Sequence, residues 1–397
     1  MERFDVVVVG AGPAGAIGAW LLARSGRRVL LVDKASFPRY KVCGCCINPQ
    51  AIAELRQLGL ESARFASAPI DSLSLSAGSK SATFSINGWR VASRETLDMA
   101  LVHEARRAGA EFLSQTIARF SSVRDHGCEI VLSTGGHNRR LIADIVVAAD
   151  GLGGHLMADA TGHVNHQRPN SRVGAGVVLS NSCDDFAPGV IHMISGTGGY
   201  VGLVRLPDQR LNVAAAFNAP FLRRCGSPGA AAAQILAQSG FPVPAGLVDN
   251  HWHGTVSLTR WPTRPAAERI LAVGDAAGYV EPFTGEGIAW GITAAQKLAG
   301  VAQLGWYPGL ADSWSSWYRR TSPQRRRLIR AVASATRHPF VAQTAIRAAK
   351  MWPGFASRIV NQWFNGIPDK PLRSSSQARM PLQHTPPAPA CALAAPE

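Results

Sequence analysis

Phe4-Asp5-Val6-Val7-Val8-Val9-Gly10-Ala11-Gly12-Pro13-Ala14-Gly15 is the stretch that decides the fold. The four valines make a β-branched apolar run of the kind buried in a parallel sheet. The glycine-rich turn follows at once. Ala16 to Ser25, rich in Ala and Leu, then predicts a helix that Gly26 stops. Arg28 to Val32 predicts a second strand, which runs into Asp33.

Each glycine has its own task. Gly10 permits a tight turn out of the strand, and Gly12 lets a pyrophosphate approach the backbone. Gly15 lets the helix pack close to the sheet. The helix start offers free N–H groups and the positive end of its dipole to phosphates. Asp33 lies 18 residues beyond Gly15, where an acid meets a ribose hydroxyl, which argues against a nucleotide with a 2′-phosphate. A glycine triplet alone is a weak signal. Strand, turn, helix, second strand and acid in series make it specific, and they mark Gly10, Gly12, Pro13, Ala14, Gly15, Asp33 and Lys34 as expected nucleotide contacts.

The chain of 397 residues has room for two or three domains, and 46% hydrophobic with 17% charged residues is a globular composition. Seven cysteines in no pairing pattern give no disulfide framework. The first apolar run lacks a basic leader and is far too short for a signal core. No apolar stretch approaches the roughly 20 residues that span a bilayer. The expected setting is the cytoplasm.

The net charge of +15 is concentrated late, at Arg319, Arg320, Arg325, Arg326, Arg327, Arg330, Arg337, Arg347, Lys350 and Arg358. It reads as a solvated basic face or as attraction to anionic lipid headgroups. Nucleic acid is not an expected partner, because no nucleic-acid module is recognisable.

Farther along, Lys34 to Asn48 is a loop containing Arg39-Tyr40-Lys41-Val42-Cys43-Gly44-Cys45-Cys46, and Pro49 stands where a helix begins. Ser72–Leu75 and Ala82–Ile86 alternate and predict a hairpin around Gly78. A helix is expected from Ser93 or Arg94 to Ala108. Strands are expected over Glu111–Phe120, Glu129–Ser133 and Ile142–Ala149, the last ending at Asp150-Gly151. From Asn165 the texture becomes antiparallel, with strands at Val173–Leu179, Val190–Ile194, Tyr200–Arg205 and Leu211–Phe217. Buried-strand texture returns at Arg269–Val273, before Gly274-Asp275-Ala276-Ala277 and a helix over Gly287–Leu298. The segment 368–397 is rich in Pro, Ala, Ser and Gln and is expected to be a disordered tail.

The glycine turn, Ala149-Asp150-Gly151, Gly274-Asp275, Arg94-x-x-Leu97-Asp98 and the Lys41-x-Cys43-Gly44 loop occur together and in order. The set, covering Phe4 to Leu304, resembles the FAD-dependent oxidoreductases of the aromatic-hydroxylase type. It is most similar to the geranylgeranyl reductase branch, with flavin-dependent halogenases as neighbours. The resemblance implies an α/β fold, α+β overall. A Rossmann-like FAD domain would be built from 1–72, 91–164 and 265–304. An inserted antiparallel-sheet substrate domain would take 73–90 and 165–264, and basic C-terminal helices 305–367.

The resemblance also implies roles. Asp275 would accept a hydrogen bond from the ribityl chain of FAD, beside Gly274. Pro282-Phe283-Thr284 with Gly285, Glu286, Gly287 and Ile288 would lie beside the flavin ring, where N–H groups at a helix start stabilise negative charge on the reduced ring. Glu286 reads as a capping carboxylate. Arg94 would lie near the flavin, paired with the pyrophosphate or a ring oxygen, and Asp150 belongs to the same cofactor set. In the reductase branch the loop reads Lys-x-Cys-Gly-Gly, but here Cys45 replaces the second Gly. Cys43 is the expected catalytic residue, shaping the substrate tunnel or donating a proton. Cys45 and Cys46 are expected to pack under the flavin. No metal is expected, because Cys-x-Cys-Cys without a distant pair lacks ligand spacing.

The expected function is therefore FAD-dependent reduction of a C=C bond in an apolar, extended substrate of isoprenoid or polyketide type. NAD(P)H would act as a transient donor, since no second glycine motif occurs. The alternatives are a monooxygenase using O₂, or a flavoprotein that binds lipid or a partner without turnover. The basic helices, with Trp306, Trp314, Trp317, Trp352 and Trp363, are expected to touch the inner face of a membrane.

Overall fold

The computed structural model describes residues 1–162, 165–180, 185–281, 285–321 and 339–364. Its first strand, β1 (Glu2–Val9), runs parallel to β2 (Val29–Val32) on one side and to β9 (His137–Ala148) on the other. That placement is what four consecutive valines require, since each buries its side chain on one face or the other. Helix α1 (Pro13–Arg24) makes the crossover between β1 and β2.

Two large sheets and a small two-stranded one follow from the division of the chain. Strand β3 (Cys46–Ile47) leads to helix α2 (Pro49–Gln57), then to β4 (Ala68–Ala77) and β5 (Lys80–Val91). Helix α3 (Arg94–Arg107) precedes β6 (Glu111–Leu113), and β7 (Thr116–Arg124) with β8 (Gly127–Thr134) forms a hairpin that pairs with β9. After α4 (Leu156–Thr161) and β10 (His166–Gln167) come β11 (Val173–Leu179), β12 (Val190–Gly196), β13 (Gly199–Arg205) and β14 (Leu211–Phe217). Helices α5 (Ala219–Cys225) and α6 (Pro228–Gln238) precede β15 (His253–Ser257), β16 (Arg260–Trp261), β17 (Ala266–Ala267) and β18 (Ile270–Ala272). The chain continues through α7 (Gly287–Ala302), α8 (310–321), α9 (Pro339–Met351) and α10 (Pro353–Phe364).

The first sheet has the order β17-β18-β9-β1-β2-β6, with the β7–β8 hairpin attached at β9. The second has the order β15-β11-β14-β13-β12-β4-β5-β3, antiparallel except where β12 runs parallel to β4. Strands β10 and β16 pair in the small one. Pairing with period two gives the second sheet two distinct faces. Val177, Leu203, Val213 and Ile194 share one face with Ile235 and Leu236 of α6. On the other face the register brings Gly176, Gly202, Asn212, Ala214 and Met193 together.

Three details differ from the sequence reading. The single strand expected over Glu111–Phe120 is divided, because Gln115 turns into the left-handed region (φ 51°). Its N–H donates to the Ala35 carbonyl at 3.0 Å, so β6 joins the parallel sheet while β7 turns away into its hairpin. Strand β4 covers Ala68–Ala77, longer than the expected Ser72–Leu75, since Ala68 still pairs with Val91. The C-terminal helices do not stand apart. Ile346 of α9 packs on Ala77, Ala82 and Phe84, with Val360 of α10 beside them.

A buried ion pair ties the second sheet to the segment before α7. Arg172, just before β11, donates Nη1 to Glu281 Oε1 at 2.7 Å, and both side chains are 1% exposed. Arg172 Nε also donates to Asn218 at 3.2 Å, and its guanidinium lies 5.3 Å from the Tyr200 ring centre. Removing one partner of such a pair strands a buried charge. Glu281→Gln is expected to lower unfolding stability by about 3 kcal/mol, read as a lower urea midpoint. Glu2→Gln, which removes the exposed partner of Arg28, is expected to cost about 1 kcal/mol or less.

Candidate functional site

The glycine turn has almost no free volume. A Cβ added to Gly10 (φ 106°) would stand 2.2 Å from the Ala149 carbonyl oxygen, and one on Gly15 would stand 1.8 Å from the Gly10 carbonyl oxygen. Ala14 packs its Cβ against Gly274 and Gly291, where added Cβ atoms would lie 2.9 and 3.3 Å away. Pro13 takes the first helical position, where its missing N–H costs nothing. Gly12 faces two guanidinium groups: its Cβ position lies 3.5 Å from Arg39 Nη2 and 3.6 Å from Arg94 Nη2. Asp33 is buried at the end of β2, and its Oδ2 accepts from the Ala11 N–H at 2.8 Å. Its Oδ1 accepts from the Ala35 N–H at 2.9 Å. Lys34 is exposed.

The two arginines share one acid. Ser93 caps α3 by accepting from the Thr96 N–H, so Arg94 is the first helical residue. Its guanidinium forks onto Asp98 one turn later, at 2.9 and 2.8 Å. Asp98 is fully buried and also pairs with Arg39 Nη2 at 3.2 Å. Burial pulls the Arg94 pKa down, but Asp98 outweighs it, so the guanidinium is held firmly charged. Arg39 Nε lies 3.7 Å from Asp33 and has no hydrogen-bond partner among the described residues. Two fixed cations, one with a spare buried donor, thus stand over Gly12, which has no Cβ. This arrangement suits a phosphate group. Arg39 was not among the expected cofactor contacts, although it lies in the same loop as Lys41.

The second signature meets the first through Ala14. Gly274 has φ 59°, and Asp275 lies in a 3₁₀ turn over Gly274–Ala277. Lys41 Nζ stands 3.9 Å from Asp275 Oδ2. Burial lowers the Lys41 pKa, and the Asp275 carboxylate opposes that shift. Asp150 turns its carboxylate to the start of α4, where Oδ2 accepts from the N–H groups of His155 and Leu156 at 2.8 and 3.0 Å. Burial raises the Asp150 pKa, while those N–H groups oppose the rise. Glu286 takes the N-cap position of α7, yet its side chain makes no capping hydrogen bond there. Gly287 and Ile288 open that helix, and Gly285 (φ 68°) comes against the Trp89 ring. Pro282, Phe283 and Thr284 lie outside the described residues.

The cysteine loop sits under the second sheet. The Cys43 carbonyl accepts from Asn212 Nδ2 of β14 at 3.0 Å, and the Cys43 thiol lies beside the Arg94 guanidinium. Cys43 is half-buried. Cys45 has φ 57°, so it holds the left-handed conformation that the missing glycine would adopt freely. Its side chain is 3% exposed, packed among Ile70, Trp89 and Val91. Burial pushes both the Cys45 and Cys46 thiols up, which keeps them protonated. Tyr40, whose hydroxyl is 2.7 Å from the Cβ position of Gly176, has no hydrogen-bond partner there among the described residues. Asn212 and Tyr40 were missed in the sequence. For Asn212 a signal was present, as a lone amide in the apolar strand Leu211–Phe217.

A divided parallel sheet, a glycine turn under paired guanidinium groups and a Gly-Asp turn locked against it define a nucleotide-dependent flavoprotein fold. The FAD binding domain family matches residues 3–212, over half of the chain, and the chain belongs to that family. It is an FAD-dependent oxidoreductase. The digeranylgeranylglycerophospholipid reductase 1 of Methanopyrus kandleri is 32% identical over 303 residues, which cover 72% of this chain and 76% of that one. The menaquinone reductase of Mycobacterium tuberculosis is 59% identical over only 59 residues, 15% of this chain and 14% of that protein. The crystal structure of p-nitrophenol 4-monooxygenase from Pseudomonas putida superposes with a TM-score of 0.72 at 17% identity, over 92% of this chain and 100% of that one. That likeness concerns the fold. No helix among the described residues is long and apolar enough to cross a membrane.

Arg94→Lys keeps the charge but loses the planar fork onto Asp98. The purified variant is expected to carry several-fold less FAD per chain, measured from the ratio of visible to ultraviolet absorbance.

Proposed function

We propose that the chain is a reductase that saturates C=C bonds of an extended apolar substrate of isoprenoid type. The observation that carries this reading is the placement of the Lys41–Cys46 loop. Its backbone is tied to Asn212 of the substrate sheet while its Cys43 thiol rests on Arg94 of the nucleotide domain. Two proteins that share sequence with this chain are named as reductases of a geranylgeranyl lipid and of menaquinone, which supports the reading.

FAD, when bound, supplies the hydride. The chain's own residues hold and orient it. Arg39 and Arg94, which both face Gly12, would hold the pyrophosphate, and Asp33 would accept from the ribose hydroxyls. Asp275 would accept from the ribityl chain, and the N–H groups at the start of α7, with Gly285 and Glu286 before them, would stabilise negative charge on the reduced ring. Tyr200, Leu258, Met193 and Tyr279, clustered on the inner side of the second sheet, give the substrate an apolar wall and exclude water. Cys43 delivers the proton to the carbon that receives no hydride. A nicotinamide dinucleotide bound transiently would supply the electrons.

The test uses the reduced, FAD-loaded protein, a geranylgeranyl lipid and mass spectrometry of the product. The expected product gains two hydrogens per double bond under anaerobic conditions. Gain of an oxygen atom that requires air would replace this reading with a monooxygenase, and an unchanged lipid under both conditions would overturn it. Cys43→Ser is expected to slow turnover by about a hundred-fold at unchanged FAD content.

A further inference from the structure

Of the five tryptophans expected to meet a membrane, Trp314 and Trp317 do not. They are buried in α8 and stack on each other with ring centres 4.9 Å apart, and Trp314 Nε1 donates to the Ala272 carbonyl. Trp306 lies 5.2 Å beneath the Arg269 guanidinium. The side chain of Trp363 lies outside the described residues. Trp352 is different: it is 61% exposed, and Met351 beside it is 70% exposed.

These two residues form the turn between α9 and α10. The helices below them are anchored. Ile346 and Ala349 of α9 and Ala356 and Val360 of α10 face Ala77, Ala82 and Phe84 of the second sheet. Asn361 Nδ2 fastens α10 to the Ser85 carbonyl at 3.1 Å. Val360 also touches the cluster that holds Cys45, Trp89 and Ile191. The helix pair is therefore the outer wall of the layer in which the cysteine loop lies. Its exposed tip projects a thioether and an indole, which such an anchored pair does not need for its own packing.

The charge around the tip is of one sign. Arg347, Lys350 and Arg358 are all exposed, and the segment 339–364 contains neither Asp nor Glu. Arg347 and Met351 stand one helical turn apart on α9, so a cation and an apolar side chain point the same way. An indole with a neighbouring apolar chain suits the boundary between headgroups and acyl chains, while flanking cations suit anionic headgroups.

We propose that the α9–α10 turn is a membrane-docking tip, with Met351 and Trp352 seated in the interface of an anionic bilayer and Arg347, Lys350 and Arg358 on its headgroups. Docking here sets the outer wall of the substrate layer against the lipid. The inference goes beyond the reaction proposed above and stands independently of it, since its test measures binding and not turnover.

The FAD-loaded full chain is sedimented with phosphatidylcholine vesicles, with and without phosphatidylglycerol, in low and high salt. Binding is expected to need the anionic lipid and to weaken with salt. Met351→Ser with Trp352→Ser is expected to weaken it by at least about tenfold. Lys350→Glu alone is expected to weaken it by about fivefold or more. Both variants change exposed side chains, so unchanged flavin absorbance and melting temperature report an intact fold. Full binding by the double variant would overturn the proposal. So would equal binding to neutral vesicles, absence of binding by the unaltered chain, or retention on duplex DNA without retention on vesicles.

Discussion

The contact on which the molecule depends is one of backbone with backbone. Gly10 and Gly15 bring the end of β1, the start of α1 and the residue after β9 so close that a single carbon at either glycine would overlap a carbonyl oxygen. No rotamer relieves such an overlap, because a Cβ has none. The closeness aims the first N–H groups of α1 at the mouth of the sheet, where their dipoles and free donors accumulate. It also fixes Ala14, whose methyl group is the surface on which Gly274 and Gly291 pack. Segments separated by more than 250 residues in the chain are thereby held at one point.

Charge is then arranged around that point with little water to screen it. Asp98 is fully buried and acceptable only because two guanidinium groups reach it, one from its own helix and one from the loop after β2. The forked geometry matters as much as the sign, since a fork satisfies both carboxylate oxygens at once. Arg172 and Glu281 repeat the arrangement between the second sheet and the segment before α7. Buried pairs of this kind are weak sources of net stability but strong constraints on register, because any displacement uncovers an unpaired charge. They hold two sheets in a fixed relation across the layer where the cysteine loop lies.

How far the sequence revealed this follows from the range of the interactions. The β1–α1–β2 unit is local, with each step of the periodicity written in consecutive residues, so its elements were readable to within three residues, the largest miss being the start of α1 at Pro13. The antiparallel strands from Val173 to Phe217 were readable for the same reason. The split at Gln115 was not, because it is imposed by a hydrogen bond to Ala35, distant in sequence. The seating of α9 and α10 on β4 and β5 is likewise a long-range choice of face. Within the site, glycines and acids declared themselves through spacing, whereas Arg39, Tyr40 and Asn212 acquire their positions only when the loop folds against the second sheet. Asp150 shows the opposite case. Its motif was visible, but its carboxylate is engaged by the N–H groups of His155 and Leu156, a local turn that the motif does not specify.

Cys45 brings these strands of argument together. A left-handed backbone costs a side-chain-bearing residue about 1–2 kcal/mol, which glycine avoids. Glycine, in turn, loses about 0.5–1 kcal/mol through the greater freedom of its unfolded chain. The difference is small enough for burial of one thiol among Ile70, Trp89 and Val91 to offset it. The chain thus exchanges a freely turning hinge for an anchored one. The carbonyl of Cys45 accepts from the Ala92 N–H at 3.1 Å, two residues before Arg94. The strained turn consequently ties the cysteine loop to the start of α3, and the residue that stands where the resemblance implies a glycine is the one that fixes Cys43 relative to Arg94.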